Sequence, residues 1–301
     1  MRFDRVLTIY VFHRLRKIYQ QYRGVRVPIL MYHSISDDPE NTSHPYFKTN
    51  TTPQVFEEHM QFLHEGKYSV ISLLDAADLL SSNHSVTCPT TQNVSLSTDQ
   101  PKCVVLTFDD GFADFYTCAF PILRKYGFVS TVFLPTGFIS NEGVNFKGRR
   151  CLSWKEVRTL STEGVTFGGH TVSHPKLSDL SWAYIESELR ESRATIEERI
   201  GKPIKCFSYP YAFPEEKQKF KARLRVILTE SGYTNGVTTI LGTARHGEDR
   251  LFLPRIPVNS DDDRAFFLAK LEGGYDWMHG LQQGLKLLKQ RLNQGHEKRS
   301  I

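Results

Sequence analysis

The stretch Lys102-Cys103-Val104-Val105-Leu106-Thr107-Phe108-Asp109-Asp110-Gly111 sets the organisation of this chain. Its run of apolar, largely β-branched residues is typical of a strand that is buried on both faces. The strand ends in two adjacent carboxylates, which repel each other and lose hydration, so they need compensation. A divalent cation would provide it, with one carboxylate as ligand and the other free to act as a base. A strand-terminating turn is the alternative interpretation.

A second polar cluster, Gly168-Gly169-His170-Thr171-Val172-Ser173-His174-Pro175, follows another apolar segment. The i, i+4 spacing of the two histidines would fit one face of a helix. The glycines before them and the proline after them instead favour a strand end that turns into a loop. One aspartate and two histidines leave a coordination position open for water, which is typical of catalytic zinc.

Around these motifs the chain alternates between predicted strands and predicted helices, which indicates βαβ units and a parallel sheet. The predicted strands are 27–33, 102–108, 130–134, 165–169, 204–209, 236–239 and 252–258. The predicted helices begin at Pro53 and at residue 72 and then cover 113–126, 153–162, 185–200, 220–228 and 277–292. Alternation alone does not separate a closed barrel from an open sheet.

The two motifs together resemble the polysaccharide deacetylases, which are the NodB-homology or carbohydrate esterase family 4 enzymes. The resemblance extends from about Pro28 to about Val258. It implies an α/β fold, a distorted (β/α)7 barrel of the NodB-homology type with an N-terminal extension. We therefore expect a basic amphipathic segment over residues 1–24 and one barrel domain over residues 25–301, with a polar insertion at about 81–101.

The resemblance also implies a set of site residues. Asp110, His170 and His174 correspond to the metal ligands, and Asp109 corresponds to the general base. The implied cofactor is one divalent metal ion, with Zn²⁺ as the first choice, although N/O ligand sets tolerate other divalent ions. Metal-activated water would then attack an acetamide carbonyl.

A third family motif, Arg-x-Pro-Tyr-Gly, corresponds to residues 208–212, where Ser208 replaces the arginine and Ala212 replaces the glycine. The resemblance implies that the backbone N–H of Tyr211 donates to the oxyanion. Because the motif arginine is missing, Arg255 is a candidate partner of the base, and a structural ion pair is the alternative. Tyr209 and Tyr211 are candidate substrate contacts through stacking on sugar faces.

The family ends in an apolar strand with a histidine that protonates the leaving amine, and no such strand is found near the C-terminus of this chain. Residues 29–33 fit the pattern but precede the first motif. In a closed barrel the strand before the first motif and the strand after the last one can occupy the same place. His33 is therefore a candidate general acid, and His279 is a second candidate.

These residues predict a hydrolase that removes N-acetyl groups from an oligosaccharide, a polysaccharide or a glycan precursor. Two alternatives stay open. The barrel could act on an O-acetyl ester or on a small cyclic amide, or it could bind glycan without turnover, since the motif arginine is missing. The sequence identifies neither the glycan nor the oligomeric state.

The net charge of +5 is modest and concentrated at the two ends, and no basic block with interleaved aromatic residues suggests a nucleic-acid partner. A basic amphipathic helix over residues 3–22 would fit the surface of an anionic membrane, or it could pack on the barrel. The five cysteines have no CxxC spacing, which favours free thiols in a reducing compartment. The N-terminal residues contain no signal-peptide cleavage site. We therefore expect a cytoplasmic protein, with peripheral attachment at the inner membrane surface as the alternative.

Overall fold

Seven short strands rich in β-branched and aromatic residues form the centre of the molecule. The computed structural model describes residues 2–18, 25–40, 44–82 and 102–284. The barrel strands are β1 (Ile29–Tyr32), β2 (Cys103–Phe108), β3 (Thr131–Leu134), β4 (Thr166–Gly169), β5 (Cys206–Ser208), β6 (Asn235–Leu241) and β7 (Leu253–Pro257).

These strands form a closed parallel ring in which each strand pairs with the next one along the chain. The ring closes through β1, because Leu30 is in register with Ile256 of β7 on one side and with Leu106 of β2 on the other. The predicted (β/α)7 barrel is therefore confirmed. All seven carboxyl ends point to the same face of the barrel, where sites of such barrels are built.

Helices surround the ring, and their ends follow local capping chemistry. They are α1 (Pro53–Glu65), α2 (Leu73–Ser81), α3 (Phe120–Tyr126), α4 (Trp154–Thr162), α5 (Trp182–Ile200), α6 (Gln218–Glu230) and α7 (Arg264–Leu271). The predicted capping box before α4 is present, since the Ser153 side chain accepts from the N–H of Glu156 and the Glu156 carboxylate accepts from the N–H of Ser153. Residues 277–284 are also helical.

Short strands outside the ring extend its edges. Ser69–Val70 pairs with the start of β2, and Arg26–Val27 pairs with Ala244–Arg245. Ser34–Ile35 pairs with Asn50–Thr51 beyond the end of β1. Asn145–Phe146 and Arg149–Arg150 form a hairpin between β3 and α4, at the carboxyl end of the barrel.

The barrel wall has an inner and an outer apolar face, as expected when successive strand residues alternate. The inner face includes Ile29, Val105, Phe133 and Leu253, and it is continuous with the apolar face of α2. Gly168 packs against this wall. A side chain does not fit at this position, because a Cβ would come within 2.6 Å of the Phe133 ring. The interior is thus a packed core below the level of the polar residues.

The N-terminal helix, defined as residues 3–18, packs beside α7, and a π-helical turn at Thr8–Phe12 interrupts it. The division at residues 24 and 25 stays a prediction. Residues 83–101 of the predicted polar insertion and residues 285–292 of the predicted last helix lie outside the described residues. Within the described ranges, no helix has the length and apolar character that a membrane crossing requires.

Candidate active site

The two aspartates at the end of β2 point to different parts of the barrel mouth. Asp109 extends the strand, because its N–H donates to the carbonyl oxygen of Tyr32 at 3.0 Å. Asp110 and Gly111 then both adopt left-handed backbone conformations, with φ of 68° and 57°. Such a conformation is costly for a non-glycine residue and is typical of functional turns. The turn separates the side chains of two adjacent carboxylates that would otherwise repel each other.

Asp109 is paired with a buried arginine. The Arg255 Nη1 and Nη2 atoms donate to Asp109 Oδ1 and Oδ2 at 2.8 and 2.7 Å, and the Ser208 hydroxyl also donates to Oδ1 at 3.2 Å. Burial alone would raise the pKa of Asp109, but the charge of Arg255 outweighs it and lowers the pKa to about 2. The carboxylate is therefore held ionised and in one orientation.

Arg255, the candidate partner of the base, lies on β7. Ser208 occupies the place of the motif arginine and donates to Asp109, while the Arg255 Nη2 also donates to the Ser208 hydroxyl at 3.0 Å. A guanidinium from another strand thus reaches the carboxylate that the third motif would have contacted. The structure brings Asp109, Ser208 and Arg255 into one hydrogen-bonded group.

Asp110 faces the two histidines that follow β4. The His174 Nε2 and His170 Nε2 atoms lie 3.2 and 3.6 Å from Asp110 Oδ1. All three residues are buried, and one ligand atom from each lies within 4.8 Å of the others. Burial alone would raise the pKa of Asp110, but its contacts with His170 and His174 hold the pKa well below the ordinary value.

The donor atoms are prepared for a cation. His170 Nδ1 lies 2.7 Å from the carbonyl oxygen of Ser208, a contact that places the proton on Nδ1 and leaves the Nε2 lone pair toward Asp110. Asp110 Oδ1 is buried without a hydrogen-bond partner within the described part of the chain. Donors at the corners of a tetrahedral zinc site are about 3.3 Å apart. The residues present therefore fit a divalent metal ion.

The loop that carries His174 is held by a residue that the sequence motifs did not indicate. Glu188 of α5 accepts from the N–H groups of Val172 and Ser173 at 2.7 and 2.9 Å. Thr171 and His174 both have positive φ, of 68° and 54°. A charge-assisted contact from a helix thus stabilises a strained loop, and no local pattern in residues 170–175 could have revealed it.

Lys147 is a second residue that sequence reasoning missed. It lies at the tip of the hairpin 145–150, and its Nζ is 3.0 Å from Asp110 Oδ2. The same Nζ lies 4.7 Å from the centre of the Phe146 ring. Lys147 and Gly148 both have positive φ, as in the two-residue turns of tight hairpins. The Lys-Gly dipeptide was the available signal for this turn.

His33 follows β1 at the same end of the barrel. Burial lowers its pKa below the ordinary value, while the negative charges of Asp110 and Asp109 oppose this decrease. Because Tyr32 is in register with Phe108 and its carbonyl oxygen accepts from the Asp109 N–H, His33 follows the strand next to the one that ends in the two carboxylates. His279 instead lies on the helix at 277–284 and pairs with Glu215, with its Nε2 2.7 Å from the carboxylate.

The two tyrosines of the third motif differ in accessibility. Tyr211 is 50% exposed, has a φ of 58°, and its ring centre lies 4.8 Å from that of His174. Tyr209 is buried in the main core and packs edge-to-face on Phe213. The prediction that Tyr209 stacks on a sugar is therefore wrong for this structure, because its ring is already covered by protein.

Known proteins resemble this chain in sequence and in structure. Residues 96–235 match the family model described as polysaccharide deacetylase. This part of the chain resembles the polysaccharide deacetylases. The matched region contains Asp109, Asp110, His170, His174 and Tyr211, whereas His33 and Arg255 lie outside it.

The chain is similar to the Bacillus subtilis protein YxkH, whose name assigns it to the polysaccharide deacetylases. It is 28% identical over 251 residues, which cover 83% of this chain and 77% of the relative. The poly-beta-1,6-N-acetyl-D-glucosamine N-deacetylase of Staphylococcus aureus is 25% identical over 184 residues, which cover 58% of this chain and 60% of that relative. Among solved structures, the Streptococcus pyogenes deacetylase PplD in complex with acetate superposes with a TM-score of 0.66 at 26% identity, over 83% of this chain and 99% of that one.

Proposed function

We propose that this chain is a metal-dependent hydrolase that removes N-acetyl groups from an N-acetylated oligosaccharide or polysaccharide. One observation carries the proposal: Asp110, His170 and His174 converge at the mouth of the barrel, beside a second carboxylate that a buried arginine keeps ionised. A donor set of one aspartate and two histidines suits zinc and other divalent ions. The family match gives this arrangement a carbohydrate context.

The metal would be held by Asp110, His170 and His174. When bound, it would supply Lewis acidity toward the acetamide carbonyl and would lower the pKa of water. The remaining steps fall to the side chains and backbone of this chain.

Asp109 is the proposed proton acceptor. It takes a proton from the attacking water as the new bond forms between the water oxygen and the acetamide carbon. Arg255 keeps Asp109 ionised before this step and fixes the direction of its lone pairs. The backbone N–H of Tyr211 is the proposed donor to the carbonyl oxygen as negative charge develops there.

His33 is the proposed proton donor for the second half of the reaction. The C–N bond breaks, the nitrogen receives a proton from His33, and acetate and a free amine leave. His33 must be protonated at this step; burial lowers its pKa, and the negative charges of Asp110 and Asp109 oppose that decrease. The His279 imidazole is already paired with Glu215, so we assign the role to His33.

A cavity whose lining includes Ala212, the residue after Tyr211, is suited to a saccharide. It has a volume of about 210 Å³ and extends from Met31 in the barrel interior to the helix at 277–284. Its lining mixes aromatic and amide or hydroxyl groups, including Tyr46, Thr239, Gln282 and Gln283. Such a mixture offers hydrogen bonds to hydroxyl groups and apolar contact to a sugar face. We propose that sugar units next to the reacting N-acetyl group lie here.

The test is to quantify bound metal in the purified protein and to measure acetate release from N-acetylated and O-acetylated saccharides. We expect one zinc per chain and acetate release from N-acetylglucosamine oligomers. Release only from acetylated xylan would replace the proposal with an O-acetyl esterase. Full metal content without acetate release from any saccharide would overturn the enzymatic function.

Two variants separate the proposed roles. Asp109→Asn should keep its metal and lose activity. His33→Ala should also keep its metal while turnover falls ~10²-fold or more. His64→Ala, at an exposed position of α1, is the matched histidine control and should behave as the wild type. Near-normal turnover of His33→Ala would exclude His33 as the general acid.

A further inference from the structure

Several polar side chains of the N-terminal helix (residues 3–18) face the protein and bind it through hydrogen bonds. The Tyr275 hydroxyl donates to the buried Asp4 carboxylate at 3.2 Å, and the Trp277 Nε1 donates to Thr8 Oγ1 at 3.0 Å. Near the other end of the helix, Arg16 contacts the Asp276 carboxylate at 2.8 Å. The hydrogen-bonding groups of the helix are therefore used to hold it against the barrel.

The outer face of this helix is apolar. Phe3 and Ile18, near its two ends, are 71% and 73% exposed. Tyr10, Val11 and Leu15 are also exposed, and the spacing of the five residues places them on one side of a helix. The π-helical turn at Thr8–Phe12 rotates less per residue than an α turn, which brings the residues before and after it into closer alignment.

The charge of the outer face is positive. Arg14 is exposed, and its guanidinium carbon lies 5.8 Å from the centre of the Tyr10 ring. Asp4 is the single acidic residue in residues 2–18, and it is buried on the inner face. The exposed face thus combines apolar side chains with a cation and contains no carboxylate.

The apolar surface continues next to the helix. A cavity of about 260 Å³ opens between Phe3, Trp277, Met278 and Leu281, and Leu281 is itself exposed. Tyr46 and Gln282 line this cavity and also line the proposed saccharide cavity. The apolar surface therefore lies beside the mouth of the barrel.

We propose that the outer face of residues 3–18 lies in the headgroup region of a bilayer that contains anionic lipid. A helix with apolar side chains on its outer face and basic residues among them is typical of interfacial membrane helices. Arg14 can extend its charged end to lipid phosphates while its stem lies against Tyr10. The lipid contact is independent of the deacetylase activity proposed above.

The size of the surface favours a lipid over a protein partner. Sixteen helical residues extend over about 24 Å, and one helix is about 10 Å wide. The resulting strip of roughly 240 Å² is far below the ~800 Å² that each partner contributes to a stable protein interface. A bilayer has no such requirement, since each apolar side chain that enters it adds to binding.

The test is sedimentation of the full chain with unilamellar vesicles of phosphatidylglycerol and phosphatidylcholine. Val11→Glu changes the proposed contact, and Val226→Glu is the matched control, because these valines are 39% and 41% exposed and both lie in helices. We expect the wild type and Val226→Glu to bind anionic vesicles, and Val11→Glu to bind at least tenfold more weakly. Binding of the wild type should also decrease with added salt.

Two further measurements keep the result interpretable. Trp277 stacks on Phe12 with ring centres 4.7 Å apart, so its fluorescence reports whether the helix of the variant still packs on the barrel. Leu15→Glu repeats the binding test at a second exposed position. Acetate release from a soluble substrate should be equal in the wild type and both valine variants. Absence of wild-type binding to anionic vesicles, or equal loss in Val11→Glu and Val226→Glu, would overturn the proposal. The proposal would also be overturned if the wild type formed a dimer that Val11→Glu dissociates and did not bind vesicles.

Discussion

Replacement of Arg255 by methionine should destabilise the protein more than the loss of any surface ion pair. The Arg255 side chain is completely buried and donates five hydrogen bonds, to Asp109, Thr107, Ser208 and the carbonyl oxygen of Thr238. Methionine fills most of the space of the arginine stem but leaves the Asp109 carboxylate buried without its cation. Breaking a buried ion pair in this way costs about 3–5 kcal/mol.

This loss is large for a domain whose total stability is about 5–15 kcal/mol. It corresponds to a decrease in melting temperature of roughly 6–20 °C. Urea unfolding of the metal-free protein at pH 7 measures the change in free energy directly. Arg190→Met is the control, because Arg190 forms a half-exposed i, i+4 pair with Glu186 and its removal should cost about 0.3–0.5 kcal/mol.

A double-mutant cycle identifies the source of the loss. Asp109→Asn removes the negative charge that Arg255→Met leaves unpaired, so the double variant should be less destabilised than the sum of the two single variants by several kcal/mol. If Arg255→Met cost no more than Arg190→Met, or if the two single changes were additive, the buried pair would not be the dominant interaction at this position. The reasoning about Asp109 would then be refuted.

Two other predictions follow from contacts outside the family motifs. Lys147→Met removes a half-exposed ammonium group from Asp110, so zinc affinity should rise about two- to fivefold in a chelator competition, and a lower affinity would contradict this account. Burial lowers the pKa of His59 below its ordinary value of 6.5. In acid the unfolded chain therefore binds more protons than the folded chain. The contribution of neutral His59 to stability is complete above pH 6.5 and is lost as the pH falls. His59→Gln should therefore flatten the decrease in free energy of unfolding between about pH 6.5 and 5, whereas His64→Gln, at an exposed position of the same helix, should leave the wild-type slope.

The order of strands and helices could be predicted from the sequence because each barrel strand is an apolar run between polar loops. The run from Cys103 to Phe108 is buried at every position, as its unbroken apolar character indicated. Closure of the ring could not be predicted from this pattern, since an open sheet would give the same alternation. The family resemblance supplied that part, and the register of Leu30 with both neighbouring strands confirms it.

The residues that were missed are those whose positions depend on tertiary contacts. Lys147 reaches Asp110 because a two-residue turn with positive φ reverses the chain at the barrel mouth. Glu188 reaches the loop of His174 because α5 passes behind it. Neither residue is near the motifs in sequence. The prediction that Tyr209 contacts a sugar failed although this residue lies within a motif. Its position in the motif does not indicate which face of the turn its ring occupies, and the ring lies in the core.

The seam between β7 and β1 explains how the missing motif arginine can be replaced. The region that matches the family model supplies the three candidate metal donors and Asp109, and the seam, outside that region, supplies Arg255 and His33. Because the last and first strands are neighbours only in the closed ring, Arg255 and His33, which are 222 positions apart in the chain (255 − 33 = 222), come from adjacent strands of the same barrel. The cation beside Asp109 is therefore supplied by β7, and the Ser208 hydroxyl of residues 208–212 joins Arg255 and Asp109 through hydrogen bonds to both.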